Sequence, residues 1–192
     1  MATSDLTTLE RMKEYLQIAS SNSTWNAVLS TLITQCSRLI NKYCQRTFIS
    51  TGTLTEYYDG NRQRELILRQ LPIIAVTSVH DDHARSFPAS TLVAATDYYV
   101  DLARGMIKFD VTLSKGRGNL KVVYTAGYTT IADLPENVVL AVNKLVAATF
   151  NKRKDDGQGG ASLGNVSYQY EAIVTADVAA CLESEMNLSE SS

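Results

Sequence analysis

Residues 134–153 read LPENVVLAVNKLVAATFNKR, and their spacing predicts one long helix. Pro135 suits a first helical turn, where its missing N–H removes no bond. Glu136 puts negative charge at the positive end of the helix dipole, and Lys152, Arg153 and Lys154 put positive charge at the other end. Gly157, Gly159 and Gly160 follow as stop signals. At about 100° per residue, Val138, Val139, Ala141, Val142, Leu145, Val146, Ala148, Thr149 and Phe150 cover an arc of roughly 200°. A helix lying on a single core needs an apolar stripe of only about 100° or a little more. The extra width calls for a second covering surface, either another part of the same chain or a neighbouring copy.

Two helices are predicted upstream. Thr7 and Glu10 form a T-x-x-E capping box before Leu9, Met12 and Leu16. The loop at 20–24 then offers Ser23 or Thr24 as a cap for a helix from Trp25 to Cys44. There Val28, Leu29, Leu32, Ile33, Cys36, Leu39, Ile40 and Tyr43 share one face, and Ser30, Thr34, Ser37, Arg38, Asn41 and Lys42 the other.

From Thr47 to Tyr128 the signals change to short strands. Thr53–Tyr58 is rich in β-formers and runs into Asp59-Gly60, a turn dipeptide, with Glu65–Leu68 as its expected partner. Pro72 stands at the start of a strand over Ile73–Val79. Asp97–Leu102 and Met106–Phe109 read as a hairpin. Asn119–Thr125 is a strand reached through the loop SKGRG at 114–118. Past the long helix, residues 155–165 have linker composition, Val166–Val174 alternates loosely, and Thr175–Asn187 is a short helix.

The expected class is α+β: a mainly α-helical bundle carrying a small antiparallel β module between its second and third helices. Sequence-distant helices must pack together, since none buries its face alone. The segments are 1–46 for the N-terminal helices, 47–128 for the β module, 129–156 for the long core helix, and 157–192 for a flexible C-terminal arm.

The 192 residues suffice to bury a core without metals or disulfides. A net charge of −2 argues against bulk electrostatic binding to nucleic acid. No apolar run approaches the ~18 residues of a membrane span, so no membrane partner is expected. The beginning, MATSDLTTLERMKEY, lacks the apolar core of a signal peptide. Synthesis in a reducing cytoplasm is expected, and Cys36, Cys44 and Cys181 then read as ordinary small apolar side chains.

Catalysis has little to attach to. The string His80-Asp81-Asp82-His83 holds both histidines of the chain and two carboxylates, the donor set of a metal-dependent hydrolase. It falls at a strand end, whereas ligands converge best from rigid elements. Lys115-Gly116-Arg117-Gly118 lacks the spacing of a phosphate loop. With Lys152–Lys154 it forms the only candidate nucleic-acid-binding set. No catalytic residue, metal ligand or cofactor is expected. The tyrosines Tyr57, Tyr58, Tyr98, Tyr99, Tyr124 and Tyr128 suit half-buried sheet faces and interfaces alike.

The ordered motifs LERMKEYLQI, LINKYCQRTF, EYYDG, LRQLPIIAVTSV, RGMIKF and NLKVVYTAGYTTIADLPENVVLAVNKLVAATFNKR span roughly residues 9–153. In this order the chain resembles the head–tail connector, or adaptor, family of tailed phages. The resemblance implies a helical bundle with a β insertion and no enzymatic activity. It further implies a homo-oligomeric ring, about twelvefold, in the virion neck between portal protein and stopper or tail completion protein, with DNA passing through the opening without specific binding. The overly wide arc of the long helix agrees with this, since it suits a protomer that packs against neighbours, and Val138, Val139, Val142, Leu145, Val146 and Phe150 are the expected subunit interface. Carried to this chain, Tyr168, Tyr170, Val178, Leu182 and Met186 become a portal-docking arm, and Lys115 and Arg117 contacts to the DNA channel or its loops.

Overall fold

A computed structural model describes residues 4–102, 104–155 and 174–186. It divides into two compact units: the described parts of Met1–Ile49 and Thr129–Ser192 make one, and Ser50–Tyr128 the other.

The first unit holds four α-helices among the described residues: α1 (Leu9–Tyr15), α2 (Asn26–Tyr43), α3 (Glu136–Asp155) and α4 (Ala176–Leu182). The cap of α1 is Thr8, whose Oγ1 accepts from Arg11 N at 3.2 Å. Thr7, the expected cap, is buried instead. Neither Ser23 nor Thr24 caps α2; Trp25 holds that position without a side-chain bond, and its ring meets Phe150 edge-on, the centroids 5.7 Å apart. Ser37, on the face expected to be solvated, is fully buried because its Oγ accepts from Leu6 N at 3.0 Å. A short 3₁₀ turn, Ile131–Asp133, leads to α3. Its Thr130 and Asp133 form a reciprocal capping box, and a carboxylate that accepts two hydroxyls and an N–H in this way is held below its ordinary pKa, first by Thr130.

Among the described residues the second unit contains six strands: β1 (Thr53–Asn61), β2 (Glu65–Ile67), β3 (Ile73–Asp81), β4 (Tyr98–Asp101), β5 (Met106–Phe109) and β6 (Lys115–Ala126). They form two three-stranded antiparallel sheets, ordered β1-β6-β3 and β2-β5-β4. Alternate residues of β6, Leu120, Val122, Tyr124 and Ala126, turn inward. They share one core with Tyr58, Ile73, Val79, Ile107 and Phe109. Ser50 N donates to Tyr128 O at 2.9 Å, so the two ends of this unit are pinned side by side.

The expectation of a mainly α-helical bundle is wrong. The structure is about 38% helical and 27% strand, and the strands are two sheets with a core of their own. The helix expected over Thr175–Asn187 is shorter, Ala176–Leu182, with a 3₁₀ turn over Glu183–Glu185 after it. Strand length was underestimated in the middle. Asp59-Gly60 is not a hairpin turn, because β1 runs through it to Asn61, and β1 pairs with β6 while β2 pairs with β5. Residues Lys115–Gly118 are likewise the first part of β6, not a loop. The pairing is irregular there: Tyr58 faces Leu120 but Gly60 faces Gly116, so Arg117, Gly118 and Asn119 bulge opposite Asp59.

Candidate functional site

The wide apolar arc of α3 is covered by its own chain. Val138, Val142 and Val146 are fully buried, and Val139, Leu145 and Phe150 are nearly so. Two elements share the work. The helix α2 covers one side of the arc and α4 the other. Along the α4 side, Asn137 Nδ2 donates to Cys181 O at 3.1 Å and Ser184 Oγ at 3.2 Å. One end of α4 is held by an ion pair of Lys144 with Asp177 at 3.3 Å. Past the other end, Glu185 pairs at 3.4 Å with Arg46, whose guanidinium also stacks on Phe48. The six residues expected to form a subunit interface are buried within the protomer itself. The helix needed a second surface, and the last described segment of the same chain supplies it.

The expected docking arm divides in the same way. Val178 and Leu182 are buried, as inward residues of α4, where they anchor this segment. Met186 is 38% exposed. Tyr168 and Tyr170 lie outside the described residues.

The string at 80–83 is structural. The carboxylate of Asp82 accepts from Ala84 N, Ser86 N, Ser86 Oγ and Phe87 N, at 2.7–3.0 Å. These donors, Phe87 N–H first, hold its pKa below the ordinary carboxylate range. Asp81 accepts from Ser114 N at 2.7 Å, from Ser114 Oγ, and from Asn119 Nδ2 at 3.1 Å. Both carboxylates are thus committed to loop backbone and neighbouring side chains. His83 is exposed and His80 lies beside Thr91. Among the described residues no group of histidine, cysteine and carboxylate side chains converges on a metal position.

Lys115 and Arg117 are exposed at the bulged start of β6. This bulge is shaped by Asn119, which sequence reasoning missed. Its Oδ1 accepts from Gly60 N at 2.8 Å and its Nδ2 reaches Ser114 Oγ at 2.9 Å. A second missed cluster is Glu56, whose Oε2 accepts from Tyr124 Oη at 2.7 Å and from Tyr58 Oη. Burial, with the Glu56 carboxylate beside them, pushes both phenols up. Two glycines near an Asn, and a Glu alternating with inward tyrosines, are the faint signals these clusters leave.

On the surface of α2, a groove of about 380 Å³ runs along Leu32, Cys36 and Leu39 to Thr149 of α3. Burial raises the Cys36 thiol to about 11, which keeps it a neutral lining group at neutral pH. Arg38 and Lys42 stand at the rim.

The head completion protein family matches residues 5–184. No curated protein matches the chain. Among solved structures, a chain in the neck of an empty GTA particle computed with C6 symmetry is 18% identical, with TM-score 0.57 over 95% of this chain and 90% of that one. A chain in the virion of a native gene transfer agent (GTA) particle is 19% identical, with TM-score 0.55 over 88% and 87%. A chain in the neck of a native GTA particle computed with C12 symmetry is 17% identical, with TM-score 0.53 over 96% and 94%. At these identities the likeness is one of fold.

Proposed function

The chain belongs to the head completion protein family, and on that premise we propose that it is a structural head–tail connector in the neck of a phage-like virion. The family match over residues 5–184 carries this reading. The fold agrees with it, since similar chains occur in neck assemblies computed with C6 and C12 symmetry. The protein works as one copy in a homo-oligomeric ring. Twelve copies, a portal protein above, a stopper or tail completion protein below, and DNA passing through the opening complete the assignment.

The chemistry of the protomer suits a structural part. Its carboxylates at 81–82 hold loops, its buried phenols are neutral, and its buried thiols are raised toward inertness. The exposed Lys115 and Arg117 serve at the channel or its neighbouring loops, where single cations meet phosphate without reading sequence. Met186, with Tyr168 and Tyr170, remains on the portal side of the assignment, now without Val178 and Leu182.

Mass photometry of the protein alone and mixed with the portal tests the proposal. Ring-sized particles are expected at least in the mixture. A chain that stays a monomer and ignores the portal overturns it.

A further inference from the structure

A closed ring of identical copies joins two different faces of each copy, one donating and one receiving. With the arc of α3 enclosed, those faces must be sought elsewhere. Two concavities of opposite exposed charge lie in the helical unit. The first is the groove on α2, with Leu32 and Leu39 along its floor and Arg38 and Lys42 at its rim. No acidic residue occurs anywhere in α2. The second, of about 300 Å³, lies on α1 and is lined by Leu9 and Ile18 together with Glu10 and Glu14. Lys13 also lines it, buried at 5% exposure with its Nζ donating to Ser20 O, a further lining residue, at 3.0 Å, so the two exposed glutamates outnumber one buried cation there.

The two concavities lie on opposite flanks of α2. Leu6, just ahead of α1, is bonded to Ser37, whereas the groove opens at Leu39, about 200° further round the helix at ~100° per residue. One copy cannot bring them together. The charges match in spacing as well as sign: Glu10 and Glu14 are four residues apart on α1, Arg38 and Lys42 four apart on α2, so each pair spans one helical turn.

We infer that the ring contact joins the Arg38/Lys42 groove of one copy to the Glu10/Glu14 face of α1 on the next. This rests on the ring reading above. The occupant of the groove is a second copy of this chain. Leu32 and Leu39 of the groove meet Leu9 and Ile18, and the paired charges set the register and reject the like-with-like contacts that would stop closure.

The test is charge reversal in the full chain, with ring formation followed by mass photometry, alone and with portal, and folding followed by circular dichroism. Arg38→Glu with Lys42→Glu, and separately Glu10→Lys with Glu14→Lys, leave a folded monomer. Each raises the concentration for half-assembly by at least about tenfold, since like charges then face each other across the contact. The chain carrying all four substitutions restores the ring. Both double variants assembling like the parent protein overturn the inference and leave the ring reading standing, as does a folded quadruple variant that fails to assemble. A parent chain that forms no ring under either condition removes the ring reading and this contact with it.

Discussion

Gly60 lies so close to Asn119 that a Cβ added to Gly60 would stand 2.7 Å from Nδ2 and 2.9 Å from Oδ1 of the asparagine, and 2.0 Å from Ser114 O. The contact is what allows Gly60 N to donate to Asn119 Oδ1. It also fixes the bulge that carries Lys115 and Arg117, because Asn119 ties Ser114 and Asp81 to the same point.

Gly60→Ala is therefore expected to destabilise the β unit by roughly 1–3 kcal/mol, the usual cost of forcing a methyl into a packed site. Hydrogen exchange at the β1 and β6 amides is the suitable readout, since one global unfolding energy is poorly defined for a chain of two units. Unchanged protection at Tyr58 and Leu120 would show that the backbone yields at no cost.

Tyr124→Phe removes the hydroxyl that donates to Glu56 and accepts from Gln70 N at 3.1 Å. The expected loss is on the order of 1–3 kcal/mol, the range for a bond to a charged acceptor. Both phenols are raised in the folded state. Their contribution is present in full below the ordinary tyrosine value of about 10 and falls away as pH rises beyond it. Alkaline unfolding should accordingly lose steepness in the Tyr124→Phe variant.

Leu182→Ala is expected to cost about 2–5 kcal/mol, as for other fully buried leucines. Its effect should concentrate on α3, whose flank along Asn137 and Lys144 loses its cover. Met186→Ala, at an exposed site, should stay within about 0.5 kcal/mol. Exchange rates along α3 separate the two. Equal effects would mean that α4 is not the second surface of the long helix.

Asp82 gives an acid-side test. Its folded pKa is depressed, so its stabilising effect is present above the ordinary carboxylate value of about 3.9 and is lost as pH falls through the lower folded value. Amide signals of Ala84, Ser86 and Phe87 should hold at pH 5 and shift together below pH ~4. In Asp82→Asn the same amides should already be exchange-labile at neutral pH, with a flatter acid dependence. An acid limb identical in both proteins would assign the loop's order to other groups.

Much of the helical unit was legible because helix signals are local. The Pro135–Glu136 start, the basic end and the apolar period of α3 all lie within the segment they describe. The roughly 200° arc pointed to a second cover and was assigned to a neighbouring copy, whereas the described residues bury it within one protomer. Which cover it receives depends on α4 folding back from beyond residue 173, and nothing within residues 134–153 encodes that. In the β unit, alternation located the hairpin of β4 and β5. Asp59-Gly60 misled because the same dipeptide suits a tight turn and a bulge; only the approach of Asn119 from β6, remote in the chain, makes it a bulge. The sequence by itself determined the order of helical and strand segments along the chain and the family likeness. Tertiary structure alone decided which strands pair, that Asp81 and Asp82 hold loops, and that the apolar face of α3 lies inside one protomer, because each outcome turns on contacts between residues far apart in the chain.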